Sequence, residues 1–74
     1  MASQQTLEYL LNLPMRGRFL CAREIAMRTG RTVPAIYRWE REGTFPRRVK
    51  MGARAVGWRG DEVADWFDAR ERVE

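Results

Sequence analysis

Basic residues that could bind a polyanion lie close together in the middle of this 74-residue chain. Two of them stand three positions apart: Arg38 and Arg41. Four more fall within eight residues that contain no acid: Arg47, Arg48, Lys50 and Arg54. A guanidinium group has donors that can bond a phosphate or the edge of a guanine base. The spacing therefore predicts two basic fingers, one after the other along the chain, whose partner is nucleic acid.

The charge of the chain is distributed unevenly. Residues 16–59 contain twelve basic and three acidic side chains, a net charge of +9, whereas the last fifteen residues carry a net charge of −4. One surface should therefore attract phosphate, and another should remain free for other contacts.

The composition argues against several other functions. Histidine is absent and Cys21 is the single cysteine, which excludes an internal disulfide and any standard zinc site. There is no convincing acid pair and no glycine-rich phosphate loop before a helix, so we expect no enzyme, no cofactor and no metal. We interpret the Cys21 thiol as a semi-buried structural group.

No apolar run approaches the roughly 20 residues that cross a bilayer, and the start of the chain lacks the pattern of a signal peptide. We expect a cytoplasmic, nucleoid-associated bacterial protein.

A helix-turn-helix is the element expected to position Arg38 and Arg41. Its first helix should begin near Cys21, with Glu24 placed as in a capping box, and should end at Gly30. Thr32 is a good N-cap for the second helix. The short turn between the two helices favours a second helix that enters the major groove.

The second helix should run to about Glu42 with one face exposed. Pro34 fits its first turn, while Ile36 and Trp39 should point into the core. The exposed face then carries Pro34, Tyr37, Arg38 and Arg41. The alternative is that Arg38 and Arg41 are solvated and paired with Glu42 or Glu24.

A short hairpin should follow. Gly43 ends the helix, and the alternation of Val49 and Met51 with Lys50 predicts a strand that Val56 and Trp58 answer. Residues 51–55 form the loop at its tip. A hairpin in this place is a wing, and its four basic residues should contact phosphates. The alternative is that they protect an exposed strand edge.

The two ends of the chain add a helix each. A leucine-rich helix should follow a Thr6 cap, and it is either a lid on the core or a surface for a second protomer. A last helix should begin at Asp61 and place Val63, Trp66 and Phe67 inward. The fold is therefore mainly α with a small β-hairpin: an N-terminal arm and short helix in residues 1–18, and a winged helix-turn-helix with a C-terminal helix in residues 19–74.

Several motifs in this chain occur together in an order and spacing typical of one family. They are Glu24-Ile25-Ala26 with Thr29-Gly30, Ala35-Ile36-Tyr37-Arg38-Trp39, Glu42-Gly43-Thr44-Phe45-Pro46, the run from Val49 to Gly57-Trp58, and Glu62-Val63 with Asp65-Trp66. Over roughly residues 19–70 the chain resembles the AlpA family of small phage and mobile-element DNA-binding regulators. It departs from the family at Cys21, where serine or threonine is frequent, and in its longer segment before Pro14.

The resemblance implies a winged helix-turn-helix related to excisionases and more distantly to MerR-type domains. It also implies sequence-specific binding and bending of double-stranded DNA by a protein that acts as an excisionase (a recombination directionality factor), as a transcriptional regulator, or as both. An integrase is then a candidate partner. The opposed charges of the wing and the last helix motivate the hypothesis that copies associate head to tail on DNA.

The site residues expected for this function fall into two groups. Sequence reading by the recognition helix is assigned to Thr32, Pro34, Tyr37, Arg38 and Arg41. Contact with the DNA backbone, including that of the wing, is assigned to Arg31, Arg47, Arg48, Lys50 and Arg54. The main alternative is a protein-interaction module of antitoxin or anti-repressor type that binds an acidic protein. RNA binding is a further alternative. Proteins that bind single-stranded RNA commonly use exposed aromatic residues on a sheet, and we expect no such sheet in this chain.

Overall fold

Four helices and three short strands make up the fold. The computed structural model describes residues 4–70, apart from the side chains of residues 4 and 7. Its elements are α1 (Gln4–Leu11), β1 (Phe19–Leu20), α2 (Ala22–Thr29), α3 (Val33–Glu42), β2 (Val49–Lys50), β3 (Val56–Arg59) and α4 (Gly60–Asp68). None of these helices is long and apolar enough to cross a membrane. The last four residues, which contribute to the acidic end of the sequence, lie outside the described part. The predicted winged helix-turn-helix with an extra helix at each end is confirmed.

The helix-turn-helix forms where the capping residues predict it. The Cys21 sulfur accepts the Glu24 N–H at 3.4 Å, and the Thr32 Oγ1 accepts the Ala35 N–H at 3.3 Å. Gly30 ends α2 in the left-handed region at φ 70° and ψ 20°, a conformation that costs glycine least. One correction concerns Cys21, whose thiol is exposed and not semi-buried.

The sheet has one more strand than the sequence predicts. Its order is β1-β3-β2, with both pairs antiparallel. β1 pairs Phe19 with Arg59 and Leu20 with Trp58, and β2 pairs Lys50 with Val56. The wing is therefore continuous with a strand that precedes the helix-turn-helix, and this strand ties the wing to the body of the domain.

The core surrounds Trp58, which is fully buried. Its indole N–H donates to the Pro46 carbonyl at 2.8 Å, so the one polar group of the ring is satisfied. The other apolar residues of the core cluster come from β1, α2, α3, α4 and the loop after α3: Leu20, Ile25, Ala26, Ile36, Phe45 and Val63. Trp39, Trp66 and Phe67 are partly buried against this cluster.

The helix α1 starts earlier than the sequence predicts. Because it begins at Gln4, Thr6 lies inside it and is not its N-cap. Its end is held by α2: the Arg28 guanidinium donates to the Leu10 and Leu13 carbonyls at 2.9 and 2.7 Å. The Leu10 carbonyl also accepts the Leu13 N–H at 3.0 Å, so Arg28 joins the turn that ends α1 to the first helix of the helix-turn-helix.

Candidate nucleic-acid interface

The outer face of α3 presents cations to solvent. Pro34, Arg38 and Arg41 are all exposed, while Ala35 and Ile36 are buried beneath them. Neither Arg38 nor Arg41 forms an ion pair with any residue of the described part. The alternative in which Glu24 or Glu42 pairs with them is therefore wrong within residues 4–70. This face offers unpaired guanidinium groups along one side of a helix.

Tyr37 differs from the other residues assigned to base reading. It is half-buried, its ring packs against Trp58 with centroids 5.8 Å apart, and it belongs to the set that covers the core. The sequence placed it on the exposed face, because a tyrosine at the margin of a helix stripe can satisfy either environment. Tyr37 lies at the edge of the basic face and faces β3.

Two residues before α3 begin the recognition segment. Thr32 is exposed, and its Oγ1 caps the helix. The Arg31 guanidinium lies 5.8 Å from the centroid of Trp39, whose ring in turn stacks on Trp66 of α4 at 5.6 Å. Arg31 therefore flanks α3 on the side of α4.

The cations of the wing lie in and beside its first strand and in its loop: Arg47 precedes β2, Lys50 ends it, and Arg54 follows in the loop. Arg47, Lys50 and Arg54 are exposed and form no ion pair within the described residues. The hairpin is closed by the Met51 N–H, which donates to the Ala55 carbonyl at 2.8 Å, and Arg54 lies in the loop between them. This loop projects a single cation at its tip.

The wing and α3 share one surface. Lys50 pairs with Val56, and side chains alternate along a strand, so both lie on the face of β3 that carries Trp58. Trp58 contacts Tyr37 of α3. Arg41 and Arg47 line the same open depression, together with Glu40, Gly43 and Arg48. The basic ends of the helix and the wing therefore adjoin each other.

Arg48 differs from the other wing cations because it has partners. Its Nη1 lies 3.0 Å from the Glu40 Oε1, and its backbone N–H donates to the Glu40 Oε2 at 2.8 Å. Its guanidinium also covers the Tyr37 ring, 5.0 Å from the centroid. The sequence assigned Arg48 to the DNA backbone and gave no sign of this pair.

A buried carboxylate lies in α2, the first helix of the helix-turn-helix. The Glu24 side chain is 2% exposed and binds two guanidinium groups, those of Arg18 and Arg28, each at 2.9 Å. The sequence interpreted Glu24 as half of a capping box, whereas its carboxylate is taken up by these arginines. The spacing of Glu24 and Arg28, four apart on a helix, was the signal that could have revealed one of the pairs.

Acids of α4 hold a third arginine. The Arg16 Nη2 lies 2.8 Å from the Asp65 Oδ1 and 3.1 Å from the Asp68 Oδ2. The hydrogen bond and the charge of Asp65 are the main causes that raise the pKa of Arg16 above its ordinary value, with Asp68 adding to them. Part of the acidic end of the chain is thus neutralised within the molecule, and Arg16 is removed from the set that could grip DNA.

Within residues 4–70, five cations of α3 and the wing form no ion pair: Arg38, Arg41, Arg47, Lys50 and Arg54. An exposed helix face beside a basic hairpin is the arrangement that defines a winged helix-turn-helix with a nucleic-acid-binding surface. More narrowly, the chain belongs to the family described as prophage CP4-57 regulatory protein (AlpA), whose model matches residues 18–71. It is thus a phage-type regulatory protein, and the predicted resemblance is confirmed. No curated protein and no solved structure matches the chain.

Proposed function

We propose that this protein binds double-stranded DNA at specific sequences by placing the exposed face of α3 in the major groove. The observation that carries this proposal is the pair Arg38 and Arg41, exposed on one helix face with no ion pair in the described part of the chain. Unpaired guanidinium groups retain all their donors, and a bidentate contact with guanine is the commonest specific contact in the major groove.

The assigned residues then divide by position. Thr32, the N-cap, and Pro34 lie at the start of α3, the part of a recognition helix that contacts base edges, and Arg38 lies in its middle. Arg41 is near its end and adjoins Arg47, so we assign to it contact with both bases and backbone. Tyr37 supports the helix from its margin and reaches bases only by its edge.

The wing supplies grip and orientation. Arg47 and Lys50 are proposed to contact phosphates beside the groove, and Arg54 at the tip is proposed to enter the neighbouring minor groove, where narrow A·T tracts concentrate negative potential. Arg31 would contact the backbone from the other flank of α3. These contacts fix the register of α3 without reading sequence themselves.

The biological role proposed is that of an excisionase, a transcriptional regulator, or both, for a phage or another mobile element in the bacterial nucleoid. Either role rests on the same physical act, which is binding and bending a short DNA site. An integrase is the partner proposed for the first role, and RNA polymerase promoters are the sites proposed for the second.

Copies bound to neighbouring sites are proposed to associate head to tail. The support is charge: Glu62 of α4 is exposed and without an ion pair in the described residues, while the wing is basic. Arg16 already holds Asp65 and Asp68, and Asp61 accepts the Gly17 N–H, so Glu62 is the acid of α4 proposed to meet a neighbour. In the free protein Glu62 lines an open depression with Arg47 and Arg48 of its own wing.

An electrophoretic shift at two salt concentrations tests the function. The fragments would span the gene's own upstream region and any nearby attachment site. We expect selective shifts that weaken in higher salt and that form a ladder on tandem sites. A selective shift without any ladder contradicts head-to-tail association, and the absence of a selective shift contradicts sequence-specific DNA binding and favours an acidic protein as the partner.

A further inference from the structure

Arg48 is joined to α3 by three contacts of different kinds. Its guanidinium pairs with the Glu40 Oε1 at 3.0 Å, its backbone N–H donates to the Glu40 Oε2 at 2.8 Å, and its planar group covers Tyr37 at 5.0 Å. Both oxygens of the Glu40 carboxylate are therefore used by one residue. Such contacts fix the backbone at Arg48 as well as its side chain.

Arg48 lies at the start of the wing. Arg48 directly precedes β2, so holding its N–H sets where the first strand of the wing begins. Tyr37 also packs on Trp58 of β3, the second strand of the wing. The same flank of α3 is thus in contact with the base of both wing strands.

We infer that Glu40, Tyr37 and Arg48 form a clamp that sets the position of the wing relative to the recognition helix, so that Arg48 acts as a positioning residue and not as a phosphate contact. The inference rests on the proposed DNA binding and adds to it a residue, Glu40, that the sequence did not single out. A wing held in register meets the backbone while α3 is in the groove. Without the clamp, the wing is free to move in the unbound protein and becomes ordered only when DNA binds. The entropy lost in ordering it lowers the affinity for DNA.

The direction in which one substitution changes the affinity for DNA shows whether Glu40 and Arg48 position the wing. Glu40 lines the same depression as Arg41 and Arg47, close to where DNA would lie. Removing an acid from such a surface should raise the affinity for DNA, because it removes repulsion between carboxylate and phosphate. If Glu40 positions the wing, its removal lowers the affinity instead.

The experiment measures DNA affinity against salt for wild type, Glu40→Ala, Arg48→Lys and the double variant Glu40→Ala/Arg48→Lys, on a duplex selected by the wild-type protein. We expect each single variant to bind about three- to ten-fold more weakly, the loss typical of one or two hydrogen bonds, and the double variant to bind no more weakly than the weaker single variant. The salt slope of Glu40→Ala should equal that of wild type, because no phosphate contact is lost.

Glu42→Ala is the matched control. Glu42 is an exposed acid on the same helix with no ion pair in residues 4–70, so its removal changes the charge equally and leaves the clamp intact. We expect it to bind DNA as well as wild type or more tightly. A second readout needs no DNA: hydrogen exchange at the Arg48 amide should be faster in Glu40→Ala than in wild type, and unchanged in Glu42→Ala.

Two results would overturn the clamp. One is a Glu40→Ala variant that behaves like Glu42→Ala; the other is an Arg48→Lys variant with full affinity, since lysine also binds phosphate but cannot reproduce the stacked, planar contact. In both cases the wild type still binds its duplex, so the proposed function stands. A wild type that binds no duplex removes the proposed function and the clamp together.

Discussion

Whether an arginine has a partner is what distinguishes its role in this molecule. Arg18 and Arg28 bind the buried Glu24, and Arg16 binds two acids of α4. Arg38 and Arg41 have no ion pair in the described residues and are exposed. The first group is committed to holding the fold, while the second retains its donors for a ligand.

Arg38 and Arg47 should respond differently to truncation. Arg38→Ala is expected to cost about 1 to 3 kcal/mol on the selected duplex and to relax the preference for one base pair, because a base contact is lost. Arg47→Ala should weaken binding to all duplexes alike and reduce the salt slope by about one, because a phosphate contact is lost. Fluorescence anisotropy on the selected duplex and on single-base variants checks both.

Arg59→Ala provides the control for charge. Arg59 neighbours Trp58 in β3 and therefore points to the opposite face of the strand, where its guanidinium lies 5.9 Å from the Phe19 ring. Its removal should change the affinity least. A uniform loss in Arg38→Ala, equal on every duplex, would demote Arg38 to a phosphate contact.

Residue types alone predicted the exposed cations of α3 but not which cations are paired. The spacing of residues along a helix is enough to place Arg38 and Arg41 on the exposed face and Ile36 on the buried face. The pair of Arg48 with Glu40 joins residues eight positions apart across a turn, and no local pattern encodes it. Tyr37 was misplaced for a similar reason, since its burial depends on where Trp58 comes to lie.

At the scale of elements, the junction between β3 and α4 fixes the segment before β1. The Gly60 N–H donates to the Arg18 carbonyl at 2.7 Å, and the Asp61 Oδ1 accepts the Gly17 N–H at 2.9 Å. A Cβ on Gly60 would overlap the Met15 carbonyl oxygen and lie 2.7 Å from that of Arg18. The two chain segments can approach this closely only if residue 60 is glycine.

Gly60→Ala should therefore destabilise the protein. Alanine is the better helix former, so propensity alone favours the variant at the start of α4. The overlap with backbone atoms opposes it, and we expect a net loss of about 1 to 3 kcal/mol in the free energy of unfolding, as for other overpacked sites. Urea denaturation followed by tryptophan fluorescence measures the loss.

Gly52→Ala is the control for that experiment. A Cβ on Gly52 has only the Ala55 Cβ near it, at 3.9 Å, and the residue is not in the left-handed region. Its stability should stay close to that of wild type. Equal denaturation midpoints for Gly60→Ala and wild type would show that the segment before β1 moves aside at little cost.

Elements with local signals were predicted well, and those without them were missed. The boundaries of α2 and α3 follow from Thr32, Gly30 and Gly43, because caps act within one turn of the helix. β1 has only two residues, and its partner strand lies far along the chain. β1 is too short to show a periodic pattern in the sequence, and it is a strand because it pairs with β3.

At the scale of the whole molecule, one aromatic cluster joins the recognition helix, the wing and α4. Trp58 contacts Tyr37 and Phe45, while Trp66 contacts Phe45 and Trp39, with ring centroids between 4.9 and 6.2 Å apart in these four contacts. A chain of this size buries a modest share of its surface, and large rings compensate for that. The cluster gives the basic surface a rigid support.

The sequence predicted where the charges lie along the chain, but not which of them pair with each other. The basic middle and the acidic end are visible in the sequence, but the structure shows that Asp65 and Asp68 already hold Arg16. The net charge of a segment cannot reveal such pairs, because they depend on how the segments pack. The unpaired cations, and not the total, should set the response of binding to salt.

The salt dependence of affinity tests the central claim, DNA binding by α3 and the wing, most directly. We would measure it for wild type on its selected duplex and on a scrambled duplex of equal length. Five cations of this surface have no ion pair among the described residues. We therefore predict that the logarithm of the association constant falls with the logarithm of the salt concentration with a slope of about −3 to −5, and that the selected duplex is bound more tightly throughout. Equal affinity for both duplexes, or a slope near zero, would contradict sequence-specific DNA binding by this surface.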